Sequence, residues 1–151
     1  MQYANYAKRR AEDQSVVIIQ VAIPNFAIEG LSDNERFHVY SPSQEWKELV
    51  FYSRRGDPYP RNLAKFMNAV LIIGTICSKP SHIFGRLDTP DAISDQWVLK
   101  NKDSRPAIQY VWPRQTGEEF FKLHATQRLR VFPLTAAEHG RWEEQARYLM
   151  E

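Results

Sequence analysis

The sequence predicts an α+β fold: a compact mixed or antiparallel sheet packed by several helices. Three observations carry that expectation. The run SVVIIQVAIP is apolar on both parities, two short strand-like stretches flank the turn KDSRP, and other segments show helical spacing behind capping residues. At 151 residues the chain suits one domain with a hydrophobic core of its own. Hydrophobic residues at 43% and charged residues at 25% argue against extensive disorder. Residues 1–14, which mix Tyr3 and Tyr6 with basic and then acidic groups, read as an exposed arm or short helix. Residues 15–151 read as a single α+β domain.

The elements follow in order. In SVVIIQVAIP, Val17, Ile19, Val21 and Ile23 share one face, and Val16, Ile18 and Ala22 share the other. That pattern predicts a central strand covered on both sides, ended by Pro24. Phe37 and Val39 alternate into Ser41-Pro42, and Ser43 then stands where a helix cap belongs, with Trp46 and Leu49 or Val50 on the buried stripe. VFYSRRGDPYPRNL is a turn, and Pro60 opens the next helix, where its missing amide donor is no loss. Leu63, Phe66, Met67, Val70 and Leu71 repeat at helical spacing, and Ser78-Lys79-Pro80 supplies the stop. On this reading Cys77 falls in the last buried turn of that helix, with His82 beyond it.

Residues 84–94 read as an irregular connection, and QWVLKN and PAIQYVW as short strands. In EEFFKLHATQRLRVFPL, Phe121, Leu123, Ala125, Leu129 and Val131 share one parity, and Lys122, His124, Thr126, Arg128 and Arg130 the other. The spacing predicts a strand with a basic outer face, or a cross-strand patch if the chain turns near residues 125–127. Thr135 and Glu138 match a capping box, and Glu143 with Arg147 adds an i,i+4 pair on a last helix.

Several functional classes lose support at this level. The lone Cys77 excludes an intrachain disulfide, and no apolar run reaches the 18 or so residues of a membrane span. VLIIGTIC is far too short for one. The segment 1–14 lacks the apolar core of a signal peptide, so the chain reads as soluble, in the cytoplasm or at the inner face of a membrane. His38, His82, His124 and His139 form no ligand series with Cys77, and neither an HExxH helix nor a GxSxG elbow nor a phosphate-binding glycine loop occurs. No cofactor or metal is expected. The weak enzymatic alternative is a metal-dependent nuclease, with Asp33 and Glu45 as carboxylate ligands and Lys47 in an ExK arrangement to stabilise phosphate or activate water.

A net charge of +2 produces no strong overall field, so anion contact must come from clusters. Residues 41–65 hold three arginines and two lysines against two glutamates and one aspartate. The candidate binding residues are Lys8, Arg9 and Arg10 on the arm; Arg54, Arg55, Arg61 and Lys65 around the turn; and Lys122, His124, Arg128 and Arg130 near the carboxyl end.

The passages SVVIIQVAIPNF and RFHVYSPSQEWKELVFYSRRGDPYPRNLAKFMNAVLIIG together resemble the globular domain of rhabdovirus matrix proteins. The similarity lies in a long strand, a Tyr-Ser entry into a short helix, a basic proline-containing turn and an apolar helix. It covers little more than the first half of the chain. The resemblance implies a non-enzymatic virion protein that self-associates, contacts the inner membrane surface and condenses a ribonucleoprotein. The family's polybasic arm and PPxY motif have no counterpart, since Pro58-Tyr59-Pro60 is a different sequence. The expected function is therefore a self-associating interaction protein: a homo-oligomer that meets RNA or ribonucleoprotein and an anionic membrane. A regulatory protein-binding module is the third alternative.

Overall fold

A computed structural model describes residues 17–101, 103–125, 129–133, 135, 137 and 140. The fold is α+β, with a mixed sheet packed by helices. Backbone contacts divide the chain into two units. Residues 24–124 form one, and the described residues before Pro24 and from Ala125 onward belong to the other.

In the larger unit, a short helix α1 (Asn25–Glu29) precedes strand β2 (Arg36–Val39) and helix α2 (Gln44–Arg55). Ser43 caps α2 as expected, its Oγ accepting from the Trp46 amide at 3.2 Å. Trp46 and Phe51 are buried on the inner stripe, and the helix ends at Gly56, whose amide donates to the Tyr52 carbonyl. The Ser41–Pro42 peptide is cis. A 3-10 helix (Arg61–Asn68) then leads into strand β3 (Leu71–Thr75), followed by α3 (Ser81–Phe84), strand β4 (Ile108–Val111) and α4 (Arg114–Ala125).

The sheet order is β2-β3-β4, with β2 parallel and β4 antiparallel to the central strand β3. Of the two short strands expected around KDSRP, PAIQYVW contains β4, whereas QWVLKN begins in a 3-10 turn (Asp95–Trp97) and contributes isolated bridges, Val98 with Cys77 and Lys100 with Pro106. On one sheet face, Phe37 and Val39, Ile72 and Gly74, and Gln109 and Val111 lie side by side in register. This face meets α2 and the 3-10 helix, with Val39, Trp46, Leu63 and Phe66 in the core. Phe37 packs edge-on against Phe66 at 5.1 Å between ring centroids.

Three expectations about individual elements are corrected. The helix read from Pro60 through Cys77 is a 3-10 helix ending at Asn68, followed by the central strand. Leu63 and Phe66 keep their helical spacing and are buried, but the β-branched residues Ile72 and Ile73 favour the pleated conformation. Cys77 therefore lies just past the central strand. The absence of a side chain at Gly74 lets that strand form, because a Cβ there would sit 2.7 Å from the Val39 carbonyl oxygen.

The segment around FFKLHA is helical, not a strand. Gly117 is buried and Phe120, Phe121 and His124 are half-buried, a helical stripe, whereas Leu123 is 73% exposed. Gly117 brings α4 so close to the sheet that a Cβ would lie 2.6 Å from the Trp112 carbonyl carbon and 2.8 Å from the Val70 oxygen.

The third correction concerns β1 (Val17–Gln20), which was expected at the centre of the sheet. It pairs with β5 (Arg130–Pro133) as an antiparallel two-stranded ribbon, and Val17 and Ile19 are exposed. Apolar residues on both parities do not by themselves decide which strand is covered, and β3 has taken the central place. The expected last helix after Thr135 lies outside the described residues, apart from isolated positions.

Candidate functional site

The basic residues divide by what their side chains already hold. Arg54 and Arg55 end α2, where cations complement the helix dipole. Arg54 Nη2 donates to the Cys77 carbonyl at 3.1 Å. Arg55 pairs with Asp57, donates through Nη1 to the Leu87 and Phe84 carbonyls at 3.0 and 3.3 Å, and lies 4.9 Å from the Phe51 ring centroid. Arg54 thus fastens the end of α2 to the chain just past β3, and Arg55 fastens it to the end of α3 and the residues after it. Lys65 pairs with Glu45, and its ammonium lies 5.1 Å from the Phe66 ring centroid.

Lys122 and Glu118 form an i,i+4 pair on α4. That contact holds the Glu118 carboxyl below its ordinary range and raises the Lys122 ammonium. The His124 ring lies 4.5 Å from that of Phe120. Arg130 sits on β5, opposite Gln20. Lys122 and His124 thus share a helix while Arg130 belongs to a strand, so the single basic strand face predicted for them does not form. Arg61 and Arg130 are exposed and have no carboxylate partner among the described residues. Lys8, Arg9, Arg10 and Arg128 lie outside the described residues.

The nuclease trio occupies two elements. Asp33 is in the turn before β2, while Glu45 and Lys47 lie in the first turn of α2, where Glu45 is engaged by Lys65. Among the described residues no three His, Cys, Asp or Glu side chains gather as a metal site. Cys77 is buried, and desolvation pushes its thiol above the ordinary range, which disfavours the reactive thiolate.

Two features were not singled out from the sequence. The first is the aliphatic face of the ribbon. Register places Val17 opposite Pro133 and Ile19 opposite Val131, and Val17, Ile19 and Val131 are 52%, 59% and 54% exposed. Alternation in SVVIIQ marked this face, but its exposure depends on which strand fills the sheet centre. The second is a cavity of about 220 Å³ between α2 and the sheet, with Trp46, Val50, Ile72 and Val111 among its apolar lining and Arg54 and Gln109 among its polar groups. Both ends of that lining come from residues far apart in sequence.

No protein-family profile matches the chain, and neither a curated protein nor a solved structure matches it significantly.

Proposed function

We propose that this chain is a non-catalytic interaction protein that assembles with further copies of itself through the β1–β5 ribbon. The observation that supports this reading is the ribbon's aliphatic face, three β-branched side chains each more than half exposed. A two-stranded ribbon is marginal in water without a covering surface, and exposed strands with apolar faces favour pairing with another chain. Two identical ribbons related by a twofold axis bury the same face on each partner.

Anion contact is the second part of the proposal. Arg61 and Arg130 are exposed with no carboxylate partner among the described residues, so each can meet a phosphate without breaking an internal ion pair. Multivalent assembly multiplies such weak contacts. This is the behaviour implied by the resemblance to rhabdovirus matrix proteins: many copies set against a ribonucleoprotein and an anionic membrane.

Sedimentation velocity of the full chain over a hundredfold concentration range tests the first part. Oligomers are expected, and Ile19→Lys or Val131→Lys should leave a folded monomer by circular dichroism. Unchanged oligomers in both variants, or a monomer at every concentration in the parent chain, would reject the ribbon. Flotation with phosphatidylserine vesicles and filter binding to single-stranded RNA, each with and without added salt, test the second part.

A further inference from the structure

The cavity beneath α2 combines three properties that core packing alone does not require. It has a volume of about 220 Å³, room for a compact organic fragment and somewhat below the roughly 300 Å³ at which drug-sized sites begin. Its lining is predominantly apolar, from Trp46, Val50, Ile72 and Val111. It also contains a half-buried guanidinium, that of Arg54, with no counter-ion among the described residues. The ion pairs among the described residues are Arg55–Asp57, Lys65–Glu45 and Lys122–Glu118, and none includes Arg54.

Arg54 gives one hydrogen bond to the Cys77 carbonyl. A guanidinium carries five N–H donors and stays charged at any pH a folded protein meets, so this single bond leaves most of its capacity open. Partial burial of a cation without an anion is unfavourable, and a carboxylate that docks in the fork geometry removes that penalty while forming paired charge-assisted bonds. Gln109, on the sheet face that α2 covers, adds an amide that both donates and accepts. The apolar remainder of the lining favours an occupant with a hydrocarbon body over water alone.

We infer that this cavity binds a small monocarboxylate with a compact apolar body, of the size of phenylacetate or a branched short-chain acid. Its carboxylate lies on Arg54 and its body against Trp46, Val50 and Ile72. The site is built entirely from residues 24–124, so it stands or falls independently of the ribbon.

The test is an NMR titration of the ¹⁵N-labelled full chain with three probes: phenylacetate, its neutral isostere phenylacetamide, and acetate. Phenylacetate is expected to give saturable shifts at the Trp46 indole and the Gln109 side-chain amide. Phenylacetamide, lacking the charge, and acetate, lacking the body, should each bind at least about tenfold more weakly. Arg54→Gln should weaken phenylacetate by about 10- to 100-fold. Val50→Phe should abolish binding by filling the space while Arg54 keeps its bond to Cys77. The acid and amide comparison needs no substitution, so the result does not depend on either variant folding. The inference is overturned by an absence of saturable shifts with phenylacetate or by equal affinity for the amide. It is also overturned if shifts at these residues follow protein concentration and not probe, which would place a second copy in the cavity.

Discussion

The indole Nε1 of Trp46 donates to the Thr75 carbonyl at 2.8 Å, a buried bond joining α2 to the last residue of the central strand. It sets the helix against the sheet at the point where the Thr75 hydroxyl also accepts from the Ser41 amide. Trp46→Phe keeps an aromatic ring but leaves a buried carbonyl without its donor. The expected loss is about 1–3 kcal/mol in urea unfolding. Trp46→Ala should lose about 3–5 kcal/mol, because a cavity is added to the missing bond. Equal stability of the Phe variant and the parent would show that the Thr75 carbonyl does not depend on the indole.

Gly74 and Gly117 govern how closely neighbouring backbone approaches β3. A methyl group at either position meets main-chain atoms, of Val39 at 2.7 Å and of Trp112 and Val70 below 3 Å. Main chain cannot rotate away as a flexible side chain can, so Gly74→Ala and Gly117→Ala should each destabilise by about 1–3 kcal/mol. Ala92→Gly in the 3-10 turn of Pro90–Ala92, where the side chain is exposed, is the control for a general glycine–alanine effect. Thermal melts of all three separate close approach from backbone entropy.

Local chemistry carried much of the fold. The Ser43 cap and the Phe37–Val39 alternation were legible because each depends on neighbouring residues. Of the turn read over VFYSRRGDPYPRNL only residues 56–60 are one, since Val50–Arg55 belong to α2 and Arg61 opens the 3-10 helix. The errors arose where the deciding information is tertiary. VLII is apolar at every position, so its pattern suits a buried helix as well as a central strand, and only its pairing with β2 and β4 settles the matter. In FFKLHA, alternation and helical spacing select different faces, and the exposure of Leu123 shows that the helical one is used. The candidate surfaces were hidden for the same reason. Charge count cannot reveal that Arg55 is spent on carbonyls of residues 84 and 87, nor can apolar pattern reveal a ribbon left open.

That distinction among the arginines gives the third prediction. Arg55→Gln removes the donors to Phe84 and Leu87 and the pair with Asp57, so it should lower stability by about 1–3 kcal/mol. Arg61→Gln, at an exposed site, should change stability by no more than about 0.5 kcal/mol while weakening salt-dependent retention on RNA or anionic vesicles. Urea unfolding and retention are measured on the same preparations. If Arg55→Gln is as stable as the parent and loses binding instead, its side chain acts at the surface and not as a fastening of α2.

The turn before β2 supplies a pH dependence whose sign follows from one carboxylate. Glu35 accepts from the Ser32 hydroxyl at 2.7 Å and the Ser32 amide at 2.9 Å, and these bonds hold its carboxyl below the ordinary glutamate range. The same residue's carbonyl accepts from the Val70 and Leu71 amides at 2.9 and 3.0 Å, so the turn is tied to the start of the central strand. Because the folded-state value is the lower one, the stabilisation is complete above the unfolded-state value and is lost as pH falls through the folded one. A carbon-13 titration should place the Glu35 midpoint below that of a free glutamate. Ser32→Ala, which removes the hydroxyl bond that contributes most to the shift, should move the midpoint back up, and Glu35→Gln should flatten the acid side of the stability profile over that window. A midpoint at or above the ordinary range would mean that the Ser32 contacts do not persist in solution, and Ser32→Ala should then leave the acid limb of unfolding unchanged.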